Sequence, residues 1–173
     1  MKKYDSNFFI EYLNYLIKLN TLHSNEWNGR SLITPTLLSE ELCKYLLNLE
    51  DREKGVKDYD AKKDGKKYEI KATSDEKGTT TFNPKATVDY CVWIFFDYKN
   101  EELAIRKTEF ENLKKVKSKK VGVEIDFVIK ANAIKEKRKT IQLASVNWEN
   151  ERFFCMKSLK ELKKEKNNDT SNI

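Results

Sequence analysis

The stretch "KDYDAKKDGKKYEIKATSDEKGTTTFNP", Lys57 to Pro84, decides the fold. Its centre, Asp64-Gly65, is the strongest short signal for a two-residue β-hairpin turn, because both turn positions need positive φ. Lys57–Ala61 and Lys67–Thr73 read as the flanking strands. A two-residue turn pairs Lys63 with Lys66, sets Asp60 opposite Glu69 and sets Asp58 opposite Lys71. Residues opposite one another share a face of the hairpin, and so do residues two apart. The four charged groups therefore fall on one side, and Tyr59, Ala61, Tyr68, Ile70 and Ala72 fall on the other, apolar side.

The charged side admits two readings. One is a solvated face held by cross-strand ion pairs. The other is a metal site, since two carboxylates on neighbouring strands can hold Mg²⁺ while phosphate oxygens and water complete the octahedron. A lysine beside such a site can stabilise charge building on phosphorus, which suits hydrolysis of a phosphodiester.

Composition narrows the chemistry. The chain has 173 residues, enough for one domain with its own core. With 39% apolar, 36% charged and 12% aromatic residues, it reads as charge-rich and globular. The longest apolar run, Cys91 to Phe96, is strand-sized, far short of the ~18 residues of a membrane span. The N-terminal apolar stretch is broken by Glu11, Asn14 and Lys18, unlike a signal peptide. One histidine, His23, and three scattered cysteines, Cys43, Cys91 and Cys155, exclude the usual zinc patterns and point to reduced thiols in a cytoplasmic protein. Any metal here must be held by oxygens. The net charge of +6 suits a polyanionic partner, with lysines gathered at Lys114 to Lys120 and Lys135 to Lys139.

Helical spacing marks residues 5–20, with Phe8, Phe9, Tyr12, Leu13, Leu16 and Ile17 apolar and Asp5 or Ser6 as N-cap. A second helix runs from about Thr36 to Leu49, opened by Thr34-Pro35. Residues 76–85 read as a polar loop. Val88–Asp97 reads as a central strand buried on both faces, with Leu103–Lys107 antiparallel to it. Thr108 is expected to cap a short helix. Further strands are expected at about 123–130 and 140–146, a last amphipathic helix at Met156–Lys166, and a disordered tail at 167–173. The chain is thus predicted to be a single α/β domain over residues 1–166.

The ordered set "KDYDAKKDGKKYEIKATS", "TTTFNP" and "VWIFFDY", from Gly55 to Lys107, resembles the PD-(D/E)XK nuclease superfamily. More closely, it resembles its small type II restriction endonucleases of the PvuII-like branch, and the small enzymes cutting GCNGC look similar too. The resemblance implies a restriction-endonuclease-like mixed sheet flanked by helices, with Glu69 as metal ligand and Lys71 as catalytic lysine. It implies Asp58 as the metal aspartate, with Asp60 as competitor, and Mg²⁺ as cofactor. A helix glutamate supports the metal in many members; Glu40 and Glu41 lie on the second helix near an aliphatic face, and Glu41 is the candidate, with a solvated helix charge as the alternative. The loop after Lys71 implies DNA contacts from Ser74, Thr79, Thr80, Thr81 and Asn83. The proline of the motif name is absent, and three threonines stand where the branch carries histidines, which implies a different recognition sequence. Double-stranded DNA is the implied partner, cut at a palindrome by a homodimer, alongside a cognate methyltransferase that protects host DNA. The aromatic N-terminal helix is the candidate dimer surface, with core packing as the alternative. Two other functions remain open at this level: a structure-specific nuclease such as a Holliday-junction resolvase or repair nickase, and a non-catalytic basic nucleic-acid-binding protein.

Overall fold

The computed structural model describes residues 4–26, 32–117 and 139–157. The expected strand at 123–130, the helix from Met156, most of the two lysine clusters and the tail lie wholly or largely outside the described residues.

Two helices come first: α1, Ser6–Glu26, and α2, Thr36–Leu47. The Asp5 carboxylate accepts from the Phe8 N–H at 2.9 Å and so acts as the N-cap of α1. The helix runs on past the expected residue 20. The second helix stops before Leu49 because Asn48 takes a left-handed conformation, φ 53°, that turns the chain out of the helix.

The strands are β1 (Glu50–Asp51), β2 (Ala61–Lys63), β3 (Lys66–Thr73), β4 (Thr79–Phe82), β5 (Tyr90–Asp97), β6 (Glu102–Glu109), β7 (Lys139–Gln142) and β8 (Asn150–Cys155), with a short helix α3, Phe110–Lys115. The main sheet has the order β1-β2-β3-β5-β6-β8. Among the described strands, β3 and β5 alone pair in parallel, and the other pairings are antiparallel. The fold is therefore mixed α/β, as the sequence predicts. The hairpin register is also as predicted, with Lys63 opposite Lys66 and positive φ at Asp64 and Gly65.

Four expectations are corrected. The first hairpin strand begins at Ala61 rather than Lys57, because a side chain replaces the backbone at that end of the ladder, as described below. Residues 79–82 are a strand within the expected loop; they pair with β7 in a separate two-stranded sheet. The expected strand 140–146 ends at Gln142 and continues as a 3₁₀ turn over Leu143–Ser145. Thr108 lies buried in β6 and accepts from the Asn112 side chain, while Glu109 precedes α3. The edge strand β8 has no counterpart among the elements expected from the sequence. Its alternation is weak, with an exposed Phe153 among charged neighbours.

Two cores sandwich the main sheet. On one face, α1 and α2 place Phe9, Leu13, Leu38 and Leu42 against Ile70, Val92, Ile94 and Leu103. On the other, β4, β7 and α3 place Phe82, Ile141, Phe110 and Leu113 over Cys91. Cys91, Val92, Trp93 and Ile94 are buried without exception, so β5 is the central strand its sequence suggests.

The link from β3 to β4 is a tight turn. Thr73 Oγ1 accepts from the Asp75 N–H at 2.9 Å, Asp75 Oδ1 accepts from the Lys77 N–H at 2.9 Å, and the Gly78 N–H donates to Asp75 O at 2.8 Å. A Cβ on Gly78 would stand 2.7 Å from both Asp75 O and Thr73 Oγ1. Gly78→Ala should therefore destabilise the protein by about 1–3 kcal/mol, the usual range for forced overpacking. Denaturant unfolding reads this directly; an unchanged midpoint would show that the turn relaxes freely.

Candidate active site

Period-two alternation puts Tyr68 and Ile70 of β3 into the helix-side core and turns Glu69 and Lys71 to the opposite face. Lys71 Nζ lies 2.6 Å from Glu69 Oε1, and both side chains are recessed rather than freely solvated. The register sets Glu69 beside Cys91 and Lys71 beside Trp93. One strand further, Arg106 continues the row; its guanidinium lies 4.6 Å from the Trp93 ring centroid and pairs with Glu151.

Asp60 completes this group. Its N–H donates to Tyr68 O at 2.9 Å, and its carboxylate Oδ2 accepts from the Ile70 N–H at 2.7 Å. Ile70 is the residue between Glu69 and Lys71, so the bond fixes the Asp60 carboxylate on the backbone of the strand that carries both. It also explains why regular strand pairing stops at Ala61: a side-chain oxygen satisfies the Ile70 N–H. Arg52 Nη1 approaches Asp60 Oδ1 to 4.0 Å from the outside. The Cys91 thiol lies within electrostatic range of these groups and of Cys43. Burial pushes its pKa up, and Lys71, Glu69 and Asp60 all act on it electrostatically.

Asp58, in contrast, is exposed and lies outside regular structure. Two residues of sequence separate the competing aspartates, but only Asp60 reaches the strand that carries Glu69 and Lys71.

On α2, Glu41 is engaged by Lys44, which also pairs with Asp51 at 2.6 Å. Its neighbour Glu40 lies within range of the Asp60 charge. Burial raises the Glu40 pKa, and the nearby Asp60 charge raises it further. Asp60 acts likewise on Cys43, one helical turn beyond Glu40, whose thiol is pushed up chiefly by burial. That placement was the available signal: Glu40 is three residues before a buried cysteine on the sheet-facing side.

The expected DNA-contacting residues lie on and around the small sheet. Thr79 and Thr81 point out from β4 and are exposed, while Thr80 is half-buried. Phe82 anchors the strand edge-on to Phe110, with ring centroids 5.4 Å apart. Asn83 Oδ1 accepts from the Lys85 N–H at 2.9 Å, closing the turn at Pro84. Ser74 donates to Leu32 O at 2.6 Å, tying the end of β3 to the segment before α2.

Among the described residues, no three His, Cys, Asp or Glu side chains converge as a complete cation cage. The donors present still suit Mg²⁺, which binds through one or two carboxylates plus substrate phosphates and water. Asp60 and Glu69 are the oxygen donors that β3 and its partner bring nearest Ile70.

The profile of the Bsp6I restriction endonuclease family matches residues 1–139. The chain belongs to that family. No curated protein matches it. The family assignment makes the chain a type II restriction endonuclease, with DNA as its substrate. The matched range includes every element of the site: α2, the β2–β3 hairpin, β4 and β5.

Proposed function

We propose that this Bsp6I-family enzyme is a Mg²⁺-dependent PD-(D/E)XK endonuclease that cuts double-stranded DNA at a short palindrome as a two-fold homodimer. The observation that carries this is the Asp60 carboxylate held on the N–H of Ile70, the residue between Glu69 and Lys71 in β3. Asp60 and Glu69 are the ligand pair, in preference to Asp58, and Glu40 is the supporting helix carboxylate, in preference to Glu41. Asp60 and Glu69 would hold Mg²⁺ through their carboxylate oxygens, and the ion would supply Lewis acidity for water activation and charge neutralisation at the phosphate.

The protein's own groups do the rest. Lys71 Nζ is already oriented by Glu69 and donates to the non-bridging phosphoryl oxygen as negative charge builds there. The oxygen of the attacking water bonds to phosphorus, one P–O ester bond breaks, and the water proton passes to the departing alkoxide. Glu40, whose ionised form is disfavoured by burial, is relieved when a cation enters beside it. Thr79, Thr81 and Asn83 stand on the edge of the small sheet as base and backbone contacts. Their types do not fix the sequence read, because threonine is permissive towards bases. The resemblance to enzymes cutting GCNGC makes that the first recognition sequence to try, and a cognate methyltransferase is the expected companion.

The test is digestion of phage-length DNA with Mg²⁺ and with EDTA. Discrete bands with Mg²⁺ and intact DNA with EDTA are expected, and sequencing the ends gives the site. Cleavage undiminished by EDTA would overturn the oxygen-held cation. A smear, or cutting restricted to branched DNA, would overturn the palindrome.

A further inference from the structure

Helix α1 buries one apolar face in the core and leaves a second largely exposed, with Tyr12 of the second face half-buried at its border against the core. Phe9, Leu13, Leu16 and Ile17 enter the core. A second stripe, Phe8, Tyr12, Tyr15, Leu19 and Leu22, follows alternating spacings of four and three. Tyr15 is 64% exposed, Leu19 50% and Leu22 63%, with Phe8 also exposed. Tyr4 stacks on Phe8 at 4.4 Å between ring centroids and extends the stripe by a turn. Spacings of four and three are the seam of a two-helix coiled coil.

The charges beside this seam select the partner. Glu11 and Lys18 are seven residues apart, so they occupy the same heptad position on the same flank. Both are exposed and border a groove of about 340 Å³ beside Tyr15. In an antiparallel pair, equivalent flanking positions of the two helices meet. We infer that α1 pairs antiparallel with α1 of a second copy of this chain, around a two-fold axis between Leu13 and Asn14. In that register Tyr12 meets the partner's Tyr15, Phe8 meets the partner's Leu19, and Leu22 reaches the partner's Tyr4. Glu11 then lies beside the partner's Lys18, and two-fold symmetry repeats the pair. Sliding the helices by one heptad in either direction would set Lys18 against the partner's Lys18, or Glu11 against the partner's Glu11. A parallel pair would set Glu11 beside the partner's Leu16, which each helix buries in its own core, and Lys18 beside the partner's His23, so neither would meet an opposite charge. The interface is self-complementary in one register only.

This inference rests on the two-fold homodimer proposed above and names its interface. It is tested by sedimentation of the full chain over a concentration range, with circular dichroism to check folding. The wild type and the doubly charge-swapped Glu11→Lys/Lys18→Glu are expected to dimerise within about threefold of each other. Either single change should weaken dimerisation about tenfold, since two attractive pairs become repulsive. Leu19→Glu/Leu22→Glu, at exposed positions, should give a folded monomer. A monomeric wild type overturns the dimer and its interface together. A wild-type dimer indifferent to Leu19→Glu/Leu22→Glu overturns the α1 interface alone. Single charge variants that the swap does not rescue overturn the antiparallel register.

Discussion

Lys71→Ala should lower DNA cleavage by roughly 10²–10³-fold, the loss typical when one donor to a developing negative charge is removed. Binding of cognate DNA should stay within about threefold, since ground-state phosphate contacts are many and each contributes little. Lys71 Nζ is recessed, lies 2.6 Å from Glu69 and packs beside Trp93, so its position is set before DNA arrives. Lys71→Arg should not restore the rate. A guanidinium spreads its charge over a planar fork and would not occupy the place of a compact ammonium. Glu69→Ala should lose cleavage at least as fully, because it removes both a cation ligand and the group that orients Lys71. Single-turnover cleavage and a gel-shift assay separate the two quantities. Lost binding with an unchanged rate per bound complex would assign both residues to DNA affinity instead.

The second large effect separates two aspartates. Asp60→Asn should reduce cleavage by about 10²-fold or more, whereas Asp58→Asn should leave it within about threefold. Asparagine retains an oxygen that can accept from the Ile70 N–H, so the hairpin keeps its geometry while the carboxylate charge is lost. Equal thermal unfolding of both variants is therefore part of the expected result. The reverse ranking would return the ligand role to Asp58. Glu40 adds a pH signature. Its folded-state pKa is raised, so the native protein takes up this proton before the unfolded chain does. The contribution to stability consequently grows as pH falls through the raised value towards the ordinary carboxylate range. Glu40→Gln should remove that rise and increase the melting temperature near neutrality, yet weaken Mg²⁺-dependent cleavage. Glu41→Gln should do neither, since Glu41 is committed to Lys44.

Local chemistry made much of this readable. Asp64-Gly65 specified the hairpin register, because few dipeptides accept positive φ twice. Period-two alternation then placed Glu69 and Lys71 on one face. The unbroken apolar run of β5 marked the centre of the sheet. Against this, Thr79–Phe82 carried no local mark of its partner, since β7 begins 57 residues after β4 ends. Such pairings depend on what closes over the second core, here Phe82 and Ile141 against Phe110. The parallel pairing of β3 with β5 is equally invisible to a local pattern.

The sequence by itself determined the hairpin, the shared face of Glu69 and Lys71, the all-oxygen character of any cation site and the two leading helices. These depend on residue type and on neighbours within a few positions. Only the tertiary structure shows that Asp60, and not Asp58, meets the β3 backbone, and that Glu40 lies within range of the Asp60 charge while Glu41 is engaged by Lys44. The first turns on where β2 leaves the ladder and which oxygen meets the Ile70 N–H. The second turns on how α2 is rotated about its axis, since adjacent helical residues point about 100° apart and packing against β3 selects which one comes within range of Asp60.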